Sequence, residues 1–248
     1  MAAIYFISDV HLGLEDADAE ASKELRLLQF LDQVSDDGVR LYIVGDLFDF
    51  WFEYRSAVPA CGTQTLAALK GLTGAGVEVH YLAGNHDFAL GPYLSNNIGC
   101  ILHFDPVAAE FEGTRFYLHH GDGLASRDLG YRILKRVIRN RLSKWMWGLV
   151  HPDIGFALAR RFSGTSRSYT DGKNYGGGEM LDTFLLEREK EGFNYIVMGH
   201  SHTAEDRVLE KGSRYINMGS WLGGCAPFAR FEDGTMTVIR PDGSRGEL

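Results

Sequence analysis

Seven residues of this chain share a chemistry and a setting: Asp9, His11, Asp46, Asn85, His120, His200 and His202. They offer two carboxylates, one amide oxygen and four imidazoles, with no thiolate among them. Donors of that hardness suit Mn²⁺, Fe or Zn²⁺ better than Cu(I) or an iron–sulfur cluster. Seven ligands exceed one ordinary site. Two cations sharing a carboxylate fit better, and the metals of hydrolytic two-metal sites stand about 3.5–4 Å apart. The chemistry expected of such a site is activation of water against a phosphoryl centre. Asp46, on a central strand between the other contributors, is the expected bridge. Asp9 and His11 stand two apart after the β-prone run Ile4–Ile7, and alternate side chains of an extended segment point the same way. Each motif alone has an ordinary reading. Asp-x-His occurs by chance, Gly84-Asn-His-Asp87 is turn chemistry, His200-Ser-His202 is a pair, and His80 and His103 read as hydrogen-bonded core or surface residues. Five motifs, each following a β-prone run, are not coincidence.

Hydrophobic periodicity supplies the elements that must position them. Arg40–Val44, Val77–Leu82 and Tyr195–Met198 read as further buried strands. Ala21–Val34, Thr65–Leu72 and Met180–Glu191 read as helices, the first with Leu25, Leu28, Leu31 and Val34 at helical spacing. Strands alternating with helices predict parallel βαβ units. Ligands of open α/β sheets bind at the carboxyl ends of the strands, so the seven residues are expected at one rim. Glycine stands beside most of them (Gly45, Gly84, Gly121, Gly199), where a close backbone approach needs it. Val107–His120 reads as a hairpin turning at Glu112-Gly-Thr114. The tail reads as two strand pairs, Glu205–Leu209 with Arg214–Met218 and Ala226–Phe231 with Met236–Arg240. The expected whole is one α/β domain, residues 1–248, with a helical insertion over 124–175.

Composition narrows the class. The chain has 248 residues and is 45% hydrophobic, enough for one large core. A net charge of −8 argues against a nucleic-acid partner. No 18-residue apolar run or signal peptide is read, and Cys61, Cys100 and Cys225 lack CxxC spacing, so a cytoplasmic protein with reduced thiols is expected. The insertion is different in character. Arg132, Lys135, Arg136, Arg139 and Lys144 alternate with Ile133, Leu134, Val137, Ile138, Leu142, Trp145, Met146, Leu149 and Val150. That pattern marks an amphipathic helix on a membrane surface or around a lipid. A helix pair packed on the core with a solvated basic face fits it equally.

Taken in order, Asp9-x-His11, Gly45-Asp46, Gly84-Asn-His-Asp87, His120-Gly-Asp122 and Gly199-His-x-His202 resemble the signature of the calcineurin-like binuclear metallophosphoesterases, across nearly the whole chain. The resemblance implies a two-sheet αββα sandwich. It implies two divalent metal ions, Mn²⁺ favoured over Fe or Zn²⁺, one held by Asp9, His11, Asp46 and His202 and the other by Asp46, Asn85, His120 and His200. It makes His86 the residue that stabilises the transition state or protonates the leaving group, with Asp87 orienting it. Asp122 is a candidate for holding a ligand imidazole, or a solvated loop carboxylate.

Within that family the chain is similar to the UDP-2,3-diacylglucosamine pyrophosphatases of lipid A synthesis. Its length, a helical lid directly after His120-Gly-Asp122, the pattern His120-Gly-Asp-x-Leu-x-x-x-Asp-x-Gly-Tyr131 and the run Gly45-Asp-Leu-Phe-Asp-Phe-Trp51 carry that likeness. Ser166 and Lys173 keep the subfamily's spacing after the lid. Asn85, Asp128, Ser166, Lys173 and His200 are then candidate substrate contacts, the lysine meeting a phosphate or the sugar headgroup. Asp128 also reads as a helix N-cap and Ser166 as a turn residue. His86 departs from the subfamily, whose best-known members have arginine there. The implied reaction is hydrolysis of UDP-2,3-diacylglucosamine to UMP and 2,3-diacylglucosamine 1-phosphate, with the lipid-linked UDP-sugar and, through the lid, the inner face of the cytoplasmic membrane as partners. A phosphodiesterase or phosphatase acting on soluble nucleotides, and a non-catalytic metal-dependent scaffold, are the alternatives.

Overall fold

In the computed structural model the described residues are 2–124, 137, 140–159, 179–239 and 245–246. Strand β1 (Ala3–Ile7) is followed by α1 (Ala17–Asp37), β2 (Gly38–Ile43), α2 (Thr63–Gly74) and β3 (Glu78–Leu82). Then come β4 (Ile101–His103), β5 (Val107–Phe111) and β6 (Thr114–His119). Next are three helices: α3 (Arg141–Trp147), α4 (152–159) and α5 (Glu179–Lys190). The last strands are β7 (Tyr195–Met198), β8 (Glu205–Val208), β9 (Arg214–Asn217), β10 (Phe228–Glu232), β11 (Thr235–Ile239) and β12 (Arg245–Gly246).

Every residue of β1 is buried, as a strand covered on both faces must be. Its period of two splits the chain's core into layers. Tyr5 and Ile7 face Leu27, Phe30, Leu31 and Val34 of α1 and Leu66 and Leu69 of α2. Ile4 and Phe6 face Phe116, Leu118, Val197 and Ile216 of the other sheet. On that sheet's far side Tyr117, Ile196 and Tyr215 meet Leu185 and Phe184 of α5. The order of layers is therefore helix, sheet, sheet, helix, the expected αββα sandwich. One sheet runs β12-β11-β10-β1-β2-β3-β4 and the other β5-β6-β7-β9-β8. Strands β1 to β4 are parallel, as are β6, β7 and β9. The β5–β6 turn places Glu112 and Gly113 at φ of 51° and 75°, the left-handed pair that matches strand twist in a tight hairpin.

The two expected strand pairs of the tail form, β8 with β9 and β10 with β11, and β10 in addition returns to the first sheet and pairs antiparallel with β1. Helix α1 starts earlier, because Asp16 caps it by accepting from the Asp18 and Ala19 amides, a contact worth about 0.5–2 kcal/mol. Its buried stripe is Lys23, Leu27, Phe30, Leu31 and Val34, while Leu25 is 57% exposed. Of the expected lid, Asp128, Ser166 and Lys173 lie outside the described residues. Its described helices cover the loop after β2. Phe50 lies 6.0 Å from the Trp147 ring and 5.8 Å from that of Phe156, and Tyr54 lies 5.9 Å from Phe156.

Candidate metal centre

Five strand ends deliver the expected ligands. Asp9 and His11 follow β1, Asp46 follows β2, Asn85 follows β3, His120 follows β6, and His200 and His202 follow β7. All seven meet where the two sheets' parallel strands end. Backbone bonds stitch the loops together. The Asp9 amide donates to Gly45 O at 3.2 Å, His11 to Asp46 O at 3.0 Å, Gly199 to His120 O at 3.0 Å and Trp221 to Asp9 O at 3.1 Å.

Asp9 and His11 do not project together because of strand pleat, as the spacing had suggested. Both have left-handed backbone, φ 53° and 51°, as do Asp46 (54°), His200 (72°) and His202 (56°). Such residues cost on the order of 1–3 kcal/mol each and persist only where the surroundings hold them. Here five ligands are aimed by tight left-handed turns; the loop bonds above hold those at Asp9, His11 and Asp46, and the His200 amide donates to Asp9 Oδ2 at 2.9 Å.

The carboxylates are pressed against glycine backbone. A Cβ on Gly84 would lie 2.0 Å from Asp46 Oδ1, and one on Gly199 would lie 2.3 Å from Asp9 Oδ2. Gly84→Ala is expected to displace Asp46, costing about 1–3 kcal/mol of stability as overpacking does and weakening metal binding with it. Thermal melting and Mn²⁺ titration check this. Wild-type values for both would show that the loop yields without moving Asp46.

The donor atoms converge in three overlapping groups. Asp9, His11 and His202 each place one ligand atom within 4.8 Å of the others, and so do Asp46, His120 and His200, and His11, Asp46 and His86. His11 Nε2 is 3.0 Å from His202 Nε2. It is also 3.8 Å from both Asp9 Oδ1 and Asp46 Oδ2. Asn85 Oδ1 joins the second group, 2.9 Å from His120 Nε2 and 2.7 Å from His200 Nδ1.

The bonding of His120 tests whether a cation fits. Its Nδ1 lies 2.9 Å from the Val44 carbonyl, so a neutral ring donates there and turns its Nε2 lone pair outward. That lone pair faces Asp46 Oδ2 at 3.2 Å. Acceptor meets acceptor unless a cation or a proton stands between them. Without a metal the proton wins. Burial pushes the His120 imidazolium down, but the Asp46 charge and hydrogen bond outweigh it and hold the group up at about 10. Burial likewise depresses His11, but the negative charge of the Asp49, Asp9 and Asp46 carboxylates around it outweighs this and raises it to about 9. Burial raises the Asp9 carboxyl, yet bonds from His11 and His202 hold it well below the usual range. Metal binding must therefore displace buried protons. The donor set fits divalent cations.

His86 keeps 11% of its side chain exposed, and His202 keeps 31%. The His86 ring centroid is 4.8 Å from that of His11. Asp87 does not orient His86. The Asp87 carboxylate accepts instead from the Leu47 amide (2.9 Å), the Gly84 amide (2.8 Å) and the Tyr81 hydroxyl (2.5 Å), fixing the loop that carries Asn85. The partner of His86 Nδ1 is Asp49, through its carbonyl at 3.0 Å and Oδ1 at 3.3 Å. Asp49 went unassigned from sequence, although its position three residues after Asp46 in Gly45-Asp-Leu-Phe-Asp49 was the available signal. Asp122 is buried and its charge acts on both His120 and His200, while His120 Nδ1 itself donates to the Val44 carbonyl.

Comparison with known proteins agrees with this centre. The profile of the calcineurin-like phosphoesterases matches residues 2–204. The chain belongs to the calcineurin-like phosphoesterase family, and it is a hydrolase of a family that uses divalent metal ions. A UDP-2,3-diacylglucosamine hydrolase from Porphyromonas gingivalis is 33% identical over 241 residues, 88% of this chain and 90% of that one. Another of the same name from Nitrosococcus oceani is 38% identical over 201 residues, 81% of this chain and 78% of that one. A crystal structure of a Vps29 single mutant from Entamoeba histolytica shares the fold, with TM-score 0.50 and 15% identity over 99% of each chain.

Proposed function

We propose that this hydrolase cleaves UDP-2,3-diacylglucosamine to UMP and 2,3-diacylglucosamine 1-phosphate at a two-metal centre, with Mn²⁺ the favoured ion and Fe or Zn²⁺ acceptable. The relatives' names support the substrate, and one observation on this chain carries it furthest. Seven of the thirteen exposed large hydrophobics of the described residues lie between 137 and 158: Val137, Leu142, Trp145, Met146, Leu149, Ile154 and Leu158. Five of them sit on α3 and α4, packed at the rim of the metal centre, with the Lys144 ammonium 6.0 Å from the centroid of Phe88, next to Asp87. Apolar surface of that extent next to a phosphoryl site suits a substrate with acyl chains. It also suits peripheral contact with the membrane that presents such a lipid, which puts the protein at its cytoplasmic face. Among the described residues no helix is long and apolar enough to cross a membrane. Residues 1–248 form one domain in this reading, and 124–175 its lid.

Asp9, His11, Asp46 and His202 hold one cation, and Asp46, Asn85, His120 and His200 the other. When bound, the cations acidify water and neutralise phosphoryl charge. The protein residues do the rest. Asn85 and His200, at the open side, meet a phosphoryl oxygen. His86 faces the departing group with its Nδ1 fixed by Asp49, leaving Nε2 to donate or hold a proton there. Asp87 keeps the Asn85–His86 loop in register. Asp128, Ser166 and Lys173 are proposed headgroup and phosphate contacts.

Purified protein assayed with Mn²⁺ is expected to release UMP from UDP-2,3-diacylglucosamine and not from UDP-GlcNAc. Leu149→Ser together with Trp145→Ser is expected to lower kcat/KM on the acylated substrate about 10- to 100-fold, the worth of one or two lost apolar contacts, and to spare an aryl phosphodiester. Hydrolysis of the aryl ester alone would assign the centre to soluble esters and the lid to ordinary packing.

A further inference from the structure

Lys23 lies in the core-facing stripe of α1 with no exposed surface. A buried ammonium is tolerated only when it is paired, and this one is: its Nζ donates to the His11 carbonyl at 2.8 Å and stands in ion pairs with Glu20 Oε1 at 2.5 Å and Glu15 Oε2 at 3.2 Å. Glu20 in turn accepts from the amides of Gly13, Leu14 and Glu15, at 2.7, 3.2 and 3.0 Å. The other Glu15 oxygen accepts from the Gly223 amide at 3.2 Å. One helix turn, Glu20 to Lys23, thus grips the whole run from 11 to 15.

The grip falls on the ligand that most needs it. His120 is anchored through its ring, Nδ1 to the Val44 carbonyl. Ligating histidines are usually fixed in this way, by the nitrogen that does not face the metal. His11 is not. Its Nδ1 is buried without a hydrogen bond, and the nearest carboxylate oxygen, Asp49 Oδ1, is 3.7 Å away, beyond hydrogen-bonding distance. Its backbone is left-handed, φ 51°, so what holds that turn sets the ring's aim.

We propose that Lys23 is a positioning residue for the metal centre, which holds the His11 carbonyl from inside α1 and so directs His11 Nε2 toward Asp9, His202 and Asp46. The inference rests on the two-metal reading above but concerns a residue outside the ligand set.

Mn²⁺ titration of the metal-free, full-length protein tests it. Wild type is expected to show two classes of site. Lys23→Met is expected to weaken one class about 10- to 100-fold, the usual cost of losing a group that orients a ligand, and to leave the other within about two-fold. In a His11→Ala background the same substitution is expected to cost less than about two-fold more, because the ring it would misdirect is gone. Pairing Lys23→Met with Glu20→Gln keeps an acceptor for residues 13–15 and removes the stranded carboxylate, so it carries the same test if the single variant does not fold. A purely structural lysine would weaken both classes together, or add its full effect in the His11→Ala background, and either result overturns the proposal. Two wild-type classes with neither changed by Lys23→Met also overturns it and leaves the two-metal reading intact. A single class in the wild type overturns the two-metal reading, and this inference with it.

Discussion

Asp46→Asn is expected to remove at least about a thousand-fold of turnover at saturating Mn²⁺, since metal-ion stabilisation of a phosphoryl transition state is worth several kcal/mol and each decade of rate about 1.36. The size follows from how much converges on one carboxylate. Oδ2 faces His120 Nε2 at 3.2 Å and His11 Nε2 at 3.8 Å, one imidazole from each ligand group. Oδ1 accepts from the His86 amide at 2.9 Å. Losing the charge therefore disturbs both proposed cations and the backbone that carries the proposed acid. An amide also puts an N–H donor where a negative bridge is needed. Metal content measured beside kcat separates the effects: bound Mn²⁺ should fall along with the rate. Full activity in the variant would end the bridging assignment.

His86→Ala is expected to behave differently, keeping bound Mn²⁺ near the wild-type amount and lowering turnover. For a substrate whose leaving group is a poorly stabilised alkoxide, loss of a positioned proton donor costs about 10²–10⁴-fold. Cleavage of the proposed UDP-sugar at the phosphorus nearer the nucleoside expels a sugar phosphate, which leaves as a stable anion. The loss there should be well below the loss on an alkyl phosphodiester if His86 protonates the leaving group, and equal to it if His86 serves by stabilising phosphoryl charge. Comparing kcat on the two substrates decides between the two roles. His86 also belongs to a possible donor group with His11 and Asp46. A variant that loses a full equivalent of metal would make it a ligand instead.

The sandwich and the seven convergent residues could be read from the sequence because they rest on local patterns. β-prone runs ending in Asp, Asn or His beside glycine are visible without knowing the fold, and the fold only has to gather them. What escaped depends on tertiary contacts. The left-handed turns at Asp9 and His11 are held by bonds to Gly45 and Asp46, and the modest leaning of Asp and His toward that conformation is too weak to mark them in a sequence. Asp87 looked like the partner of His86 because it is adjacent in sequence, but consecutive side chains in a tight loop diverge, and Asp49 from another loop takes the place. Leu25 looked like core, and the stripe turned out to be led by Lys23, because a lysine that donates to a backbone carbonyl and pairs with two carboxylates can occupy a position that periodicity reserves for an apolar residue. The return of β10 to β1 carries no local signal at all.

That last pairing sets a timetable for the chain's synthesis. Ile4 aligns with Phe231 across the sheet, so the first strand made waits for one of the last. At about 5–20 residues per second the wait is on the order of ten to forty-five seconds, during which an apolar strand has one edge unpaired, a template for wrong pairing. His200 and His202 also arrive late, and Trp221, whose amide seals Asp9, later still. The nascent chain therefore carries Asp9, His11 and Asp46 long before it can close a cage around a cation. Metal loading belongs to the finished protein, and its arrival locks together segments that left the ribosome nearly two hundred residues apart.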